Sequence, residues 1–164
     1  MPDQTIMPDQ TPFAGVYPCY ENQFKIGETG AQTLNTIAEC TTFSVAFSNG
    51  IEEWYAFEDE GWVSRLPTAK SVTITVTAKR KVGDTGNDFV ADIAFKNGRE
   101  AMADFEWDFP DGTSIKLPNS AINVTALGSG DSTAVAPLEF EVMSNKKPTV
   151  TQPTVTQPTV TQPT

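Results

Sequence analysis

The chain has 164 residues, 38% of them apolar, and carries 11 Lys and Arg against 21 Asp and Glu, a formal net charge of −10 with no histidine. That charge argues against a nucleic-acid reader, which needs a basic patch for phosphates; the missing imidazole removes the commonest general base, metal ligand and near-neutral proton switch. The length suits one domain with flanking tails, and no apolar run approaches the ~18 residues that span a bilayer as a helix.

The chain opens on a near-duplication, MPDQT at 1–5 and again at 7–11. Such a polar repeat cannot bury a core, so residues 1–12 read as a flexible, disordered N-terminal arm, and Met7 is a second candidate start. Met1–Gln10 lacks the basic and apolar regions of a secretory signal, which places folding in a cytoplasm. Gly15–Ile26 reads as a first strand, and Thr36–Ser48 as a second β region with Ile37, Phe43, Val45 and Phe47 as its apolar positions. Asn49-Gly50 is the strongest short hairpin signal, with Ile51–Glu58 returning from it.

Ser71–Lys81 is the clearest strand, with Val72, Ile74, Val76 and Ala78 on one face and Thr73, Thr75 and Thr77 on the other. Val82-Gly83-Asp84 breaks it, and Thr85, Asn87 or Asp88 caps a helix over roughly 88–96. Its apolar stripe draws on Phe89, Val90, Ile93, Ala94 and Phe95, and Asn97-Gly98 ends it. Glu100–Phe109, Thr113–Leu127 and Val135–Met143 read as further strands, the first two joined by the Pro110-Asp111-Gly112 turn. From Pro148 onward PTVTQ repeats three times and closes on Pro-Thr, a pattern with no core period that reads as an extended, polyproline-like tail.

Residues 13–147 thus form the folded domain and 148–164 a repeat tail. Seven or eight strands and one helix give a mainly β fold, a two-sheet sandwich or partly closed barrel with one flanking α-helix.

Catalytic chemistry finds little purchase. Glu52-Glu53, Glu58-Asp59-Glu60 and Asp84 with Asp88 lack the spacing of a glycosidase pair or a calcium loop. Cys19 and Cys40 read as reduced, largely buried thiols, since no histidine is present to activate a nucleophile and nothing demands a disulfide. Lys79-Arg80-Lys81 is a short basic run at a strand end. Trp54, Trp62 and Trp107 suit a core or an interface better than a sugar platform. No enzyme, cofactor or metal is expected.

Several pieces, in order, carry a family resemblance. They are Gly61-Trp62 through Lys70-Ser71 with the strand that follows, then Gly83-Asp84 and Asn87-Asp88-Phe89-Val90. Phe105-Glu106-Trp107-Asp108-Phe109-Pro110-Asp111-Gly112 comes next, and Gly130-Asp131 with Pro137-Leu138-Glu139-Phe140-Glu141 completes the set. With these the chain resembles the major tail proteins, the tail-tube subunits of long-tailed bacteriophages with non-contractile tails. The resemblance implies a virion protein whose hexameric rings stack into a tail tube. The tube's continuous inner barrel passes genomic DNA without binding it specifically. It further implies tape measure, tail terminator and distal tail proteins as partners, no membrane, and assembly in the host cytoplasm. A loop at Ile51–Pro67 would reach the adjacent ring, with Trp54, Phe57, Glu58, Asp59, Trp62 and Arg65 as contacts. The charged cluster Lys79, Arg80, Lys81, Asp84 and Asp88, with the 84–96 helix, would pack at the subunit edge. A β-sandwich carbohydrate-binding or adhesion module, or a capsid decoration module, is the alternative.

Overall fold

The period-two runs become strands of one antiparallel sheet. A computed structural model describes residues 13–153. The strands are β1 (Gln23–Gly27), β2 (Asn35–Thr36), β3 (Cys40–Tyr55), β4 (Val63–Lys79), β5 (Met102–Asp108), β6 (Ser114–Leu127), β7 (Pro137–Met143) and β8 (Thr149–Thr151), with helix α1 (Thr85–Ile93) after β4. Their spatial order is β2-β1-β5-β6-β7-β4-β3, with β8 added on β6. The expected N-terminal arm, with its duplicated MPDQT, and the later copies of the C-terminal repeat lie outside the described residues.

The alternation in β4 and β7 is realised as read. Val72, Ile74, Val76 and Ala78 are buried, as are Leu138, Phe140 and Val142, while Glu139, Glu141 and the threonines of β4 stay partly exposed on the other face. The sheet curls, because Phe24 on β1 and Phe43 on β3 meet at 5.0 Å between ring centroids although β3 is the far edge strand. The layers expected of a sandwich are therefore parts of one continuous sheet, and it does not close by backbone pairing into a barrel. Helix α1 lies against β1, β2 and β6 and contributes Val90, Ala91 and Ile93 to the core.

Several boundaries differ from the sequence reading. The first strand is short, because Cys19–Glu21 forms a 3-10 turn and only Gln23–Gly27 pairs. Asn49-Gly50 makes no hairpin turn: β3 runs straight through it, and its residues pair with Lys70 and Ala69. Gly50 marks a register shift in the ladder instead, and a Cβ there would stand 2.9 Å from that of Ala69. A glycine inside a strand serves such a bulge and close approach as well as it serves a turn. The reversal comes later, at Phe57–Asp59 and the left-handed pair Glu60-Gly61. Ile51–Tyr55 is thus the outgoing strand, and the returning strand begins at Val63.

The helix spans Thr85–Ile93 and is capped by Asp84 rather than by Thr85, Asn87 or Asp88. Phe95, assigned to the buried stripe, lies beyond the helix and is 87% exposed. Finally, the first PTVTQ copy is not a polyproline segment: Thr149, Val150 and Thr151 pair with Lys116, Ile115 and Ser114.

Candidate functional site

Two surfaces stand out, one at each end of β4. The first is the β3–β4 hairpin. β4 is 17 residues long, yet only Thr73–Lys79 pairs with β7. Among the described residues its Val63–Ser71 half is laddered to β3 alone, while Val72 N and O already bond Ser144 on the β7 side, so about 30 Å of two-stranded hairpin projects from the sheet. β3 is itself an edge strand, so among the described residues this arm has no strand partner along either side. Such edges are liabilities that proteins cover or use. Pro67 sits in the free half of β4, a position where a missing N–H does no harm.

The hairpin carries the largest exposed apolar side chains of its region: Phe47, Ile51, Trp54, Tyr55, Phe57, Trp62 and Leu66. Phe57 and Trp62 flank the tip and are fully or 80% exposed. Backbone bonds Asp59 N to Ala56 O and Trp62 N to Asp59 O shape the reversal, and Ser64 Oγ donates to Asp59 Oδ2 at 3.1 Å. Arg65 donates to Glu53 across the hairpin at 2.5 Å. The structure thus brings Trp54, Phe57, Glu58, Asp59, Trp62 and Arg65 onto one arm, but as a strand pair with a structured tip and not as the loop anticipated over Ile51–Pro67.

The second surface is the start of α1. Here the charges are largely spent inside the chain. Arg80 Nη1 donates to Asp88 Oδ1 at 2.7 Å and to Asn87 Oδ1 at 2.8 Å. Asp88 also accepts from Gly83 N at 3.0 Å. The Arg80 guanidinium, more than the Gly83 amide, holds the Asp88 carboxyl below the usual carboxylate range. Asp84 accepts from Asn87 N at 3.0 Å as the helix cap and from Ala38 N at 3.1 Å. Lys81 Nζ meets Glu39 at 3.3 Å. Lys79 makes no ion pair among the described residues.

Asn87 is the residue sequence reasoning passed over as only a possible cap. It is fully buried, accepts from Arg80 and Lys81 N, and donates to Lys79 O and Ala38 O. It ties the end of β4, the entry to β3 and α1 into one knot, and its burial demands all those bonds. Asp104 on β5 is a second buried polar residue. A register shift between Ala103 and Phe105 turns it inward, where it accepts from Gly30 N at 3.1 Å and Asn119 N at 2.7 Å. No signal in the local pattern marks either role.

Nothing here is arranged for covalent chemistry. Both cysteines are free, and Cys19 is exposed rather than buried. Burial, with Asp84 nearby adding to it, pushes the Cys40 thiol up to about 11, so it stays protonated and unreactive near neutrality. Among the described residues no three His, Cys, Asp or Glu side chains gather to hold a metal. No helix there is long and apolar enough to cross a membrane.

No protein-family model matches the sequence, and no curated protein matches it. The fold, by contrast, is shared with chains of several particle tails and injection systems. A chain from the tail of an empty GTA particle, refined helically with C6 symmetry, superposes with a TM-score of 0.66 at 19% identity, over 83% of this chain and 99% of that one. A chain from the virion of a native gene transfer agent gives 0.62 at 18% identity, over 83% and 99%. A chain from the extended sheath–tube complex of PVC, an extracellular contractile injection system, gives 0.61 at 16% identity, over 89% and 98%. Nearly the whole of each of those chains is thus matched by the domain described here.

Proposed function

We propose that this chain is a structural tube subunit of a phage-type tail. Six copies form a ring, and rings stack into a conduit for DNA during ejection. The observation that carries this reading is the agreement between a fold match, over 83% of this chain, to a chain of a C6-symmetric particle tail and a hairpin arm with no strand partner on either edge among the described residues. Free edges of about ten residues are what subunits need to continue one sheet into the next, and ring closure then leaves no edge exposed.

The exposed aromatics of the arm act as anchors between copies. Phe57 and Trp62 at the tip reach the adjacent ring, with Glu58 and Asp59 beside them, while Trp54, Arg65 and Leu66 lie along the arm. The partly exposed face with Thr73, Thr75, Thr77, Glu139 and Glu141 forms the lumen wall, where carboxylates repel phosphates and let DNA slide. Lys79 remains at the subunit edge as a contact for a neighbour's acidic tip, with Lys81 and its partner Glu39 beside it. The role is structural, not enzymatic.

Solved chains of this fold occur in contractile injection systems as well as in GTA tails, so the non-contractile type rests on the sequence resemblance alone. The same holds for tape measure, terminator and distal tail partners and for assembly in the host cytoplasm. Negative-stain electron microscopy of the purified full chain, across concentration and salt, tests the reading. Hollow sixfold rings or tubes are the expected result. A protein that stays monomeric when concentrated, even with purified tail-tip complex as initiator, overturns it.

A further inference from the structure

The split between β4 and β8 opens a groove of about 740 Å³, with Val45, Phe47, Trp107, Ile115 and Leu117 in its lining. Ser144–Pro148 runs along its mouth, and Val150 follows it as the middle residue of β8. The slot on β6 that receives β8 is small: Thr149, Val150 and Thr151 opposite Lys116, Ile115 and Ser114. The segment then leaves past Pro153, whose ring lies over Gly112, a Cβ there coming 3.3 Å from the Pro153 Cβ.

The segment that fills this slot, Pro148-Thr149-Val150-Thr151-Gln152-Pro153, occurs three times. Because the prolines are shared, 153–158 and 158–163 repeat all six residues, including the trailing proline. All three carry the same sequence, and so the same set of backbone donors and acceptors and the same central valine. We infer that the PTVTQ copies are interchangeable occupants of the β8 slot in their own chain, so that the repeat is a latch with three settings over the groove.

Tether length ranks the settings. From Met143 to the strand the first copy needs a link of about five residues, and each further copy adds five more. Loop closure falls off as roughly the 3/2 power of length, so the second copy is disfavoured by only about threefold and the third by about fivefold. In the later settings the link over the groove is longer and its mouth is wider. A further strand folded back on β8 is the competing use of these copies, and it is unfavourable. Pro153 would fall late in the two-residue turn, where proline is poorly tolerated.

Hydrogen exchange on the unassembled full chain tests this, read at the amides of Ser114–Lys116. Thr149→Pro with Thr151→Pro disables the first copy in two chains, one full length and one ending at Gln152. The expected result is protection kept in the full-length variant and lost, by tenfold or more, in the short one. Loss in both overturns interchangeability. Retention in both overturns the slot itself. Protection in the full-length variant that rises with protein concentration means filling by a second copy of the chain and overturns the single-chain latch.

Discussion

Phe24 and Phe43 touch edge to face, 5.0 Å between centroids and 61° between planes, although they belong to strands near opposite ends of the sheet order. Phe24 also stacks near Phe105 and Trp107, and Phe43 meets Trp107 at 5.5 Å. These rings hold the curl where no backbone ladder does. Phe24→Ala is expected to lower stability by about 3–5 kcal/mol, the usual loss for a buried ring. A urea midpoint little changed from the parent would show that the curl is held elsewhere.

The knot at the start of α1 makes part of the fold's stability acid-sensitive. The folded pKa of Asp88 is lowered, chiefly by the bond from Arg80. Its stabilisation is present above the ordinary carboxylate value of about 3.9 and is lost as pH falls through the lower folded value. Asp88→Asn should therefore be less stable than the parent at pH 7 and show a shallower decline from pH 5 to pH 2. Parallel pH profiles for the two proteins would rule this out.

Cys40 works in the opposite direction. Its ordinary value of 9.0 is raised to about 11, mainly by burial. The folded state holds the thiol proton more tightly than the unfolded chain does. Stability is therefore level below about pH 9 and falls as pH rises toward 11, by on the order of 2 kcal/mol. Cys40→Ala should lose this decline between pH 9 and about pH 10. Lys25, held protonated by Asp108 and Glu106, adds its own loss only above the ordinary lysine value, so unfolding at pH 8 and pH 10 separates the two.

Gly86 on α1 packs against the backbone of β2. A Cβ there would stand 2.4 Å from Thr36 O. Gly86→Ala must push the helix off β2, at a cost of about 1–3 kcal/mol, despite alanine's better helix propensity. A stabilised variant in thermal unfolding would mean that the helix has room to move.

Trp62→Ala should separate folding from assembly. The side chain is 80% exposed at the hairpin tip, so the monomer's stability should move by less than about 0.5 kcal/mol. Tube formation, followed by sedimentation and microscopy, should fail or need far higher concentration. Normal tubes from this variant would remove the tip from the ring-to-ring contact.

What was legible in the sequence was whatever depends on neighbours two residues apart. The buried faces of β4 and β7 follow directly from Val72–Ala78 and Leu138–Val142. The hairpin was misplaced because Asn49-Gly50 is locally the better turn, and only the length of the partner strand shows that the chain passes through it. Asn87 and Asp104 were missed because their burial comes from residues far away in sequence, Ala38 and Gly30 among them. The first PTVTQ copy was misread because a repeat without an apolar face still pairs when a ready edge such as β6 is offered. The residues grouped on the hairpin do lie on one arm, whereas four of the five charged residues near α1 bond within the chain.

β4 runs without interruption from the core into the free arm. Whatever binds Val63–Ser71 therefore grips the same strand whose other half holds Val72, Val76 and Ala78 in the core. Binding to the folded chain alone must raise its resistance to unfolding by mass action. A captured subunit would be harder to melt or digest than a free one without a single new contact in its interior. Protease resistance along β4 would then report how much of a population has been captured.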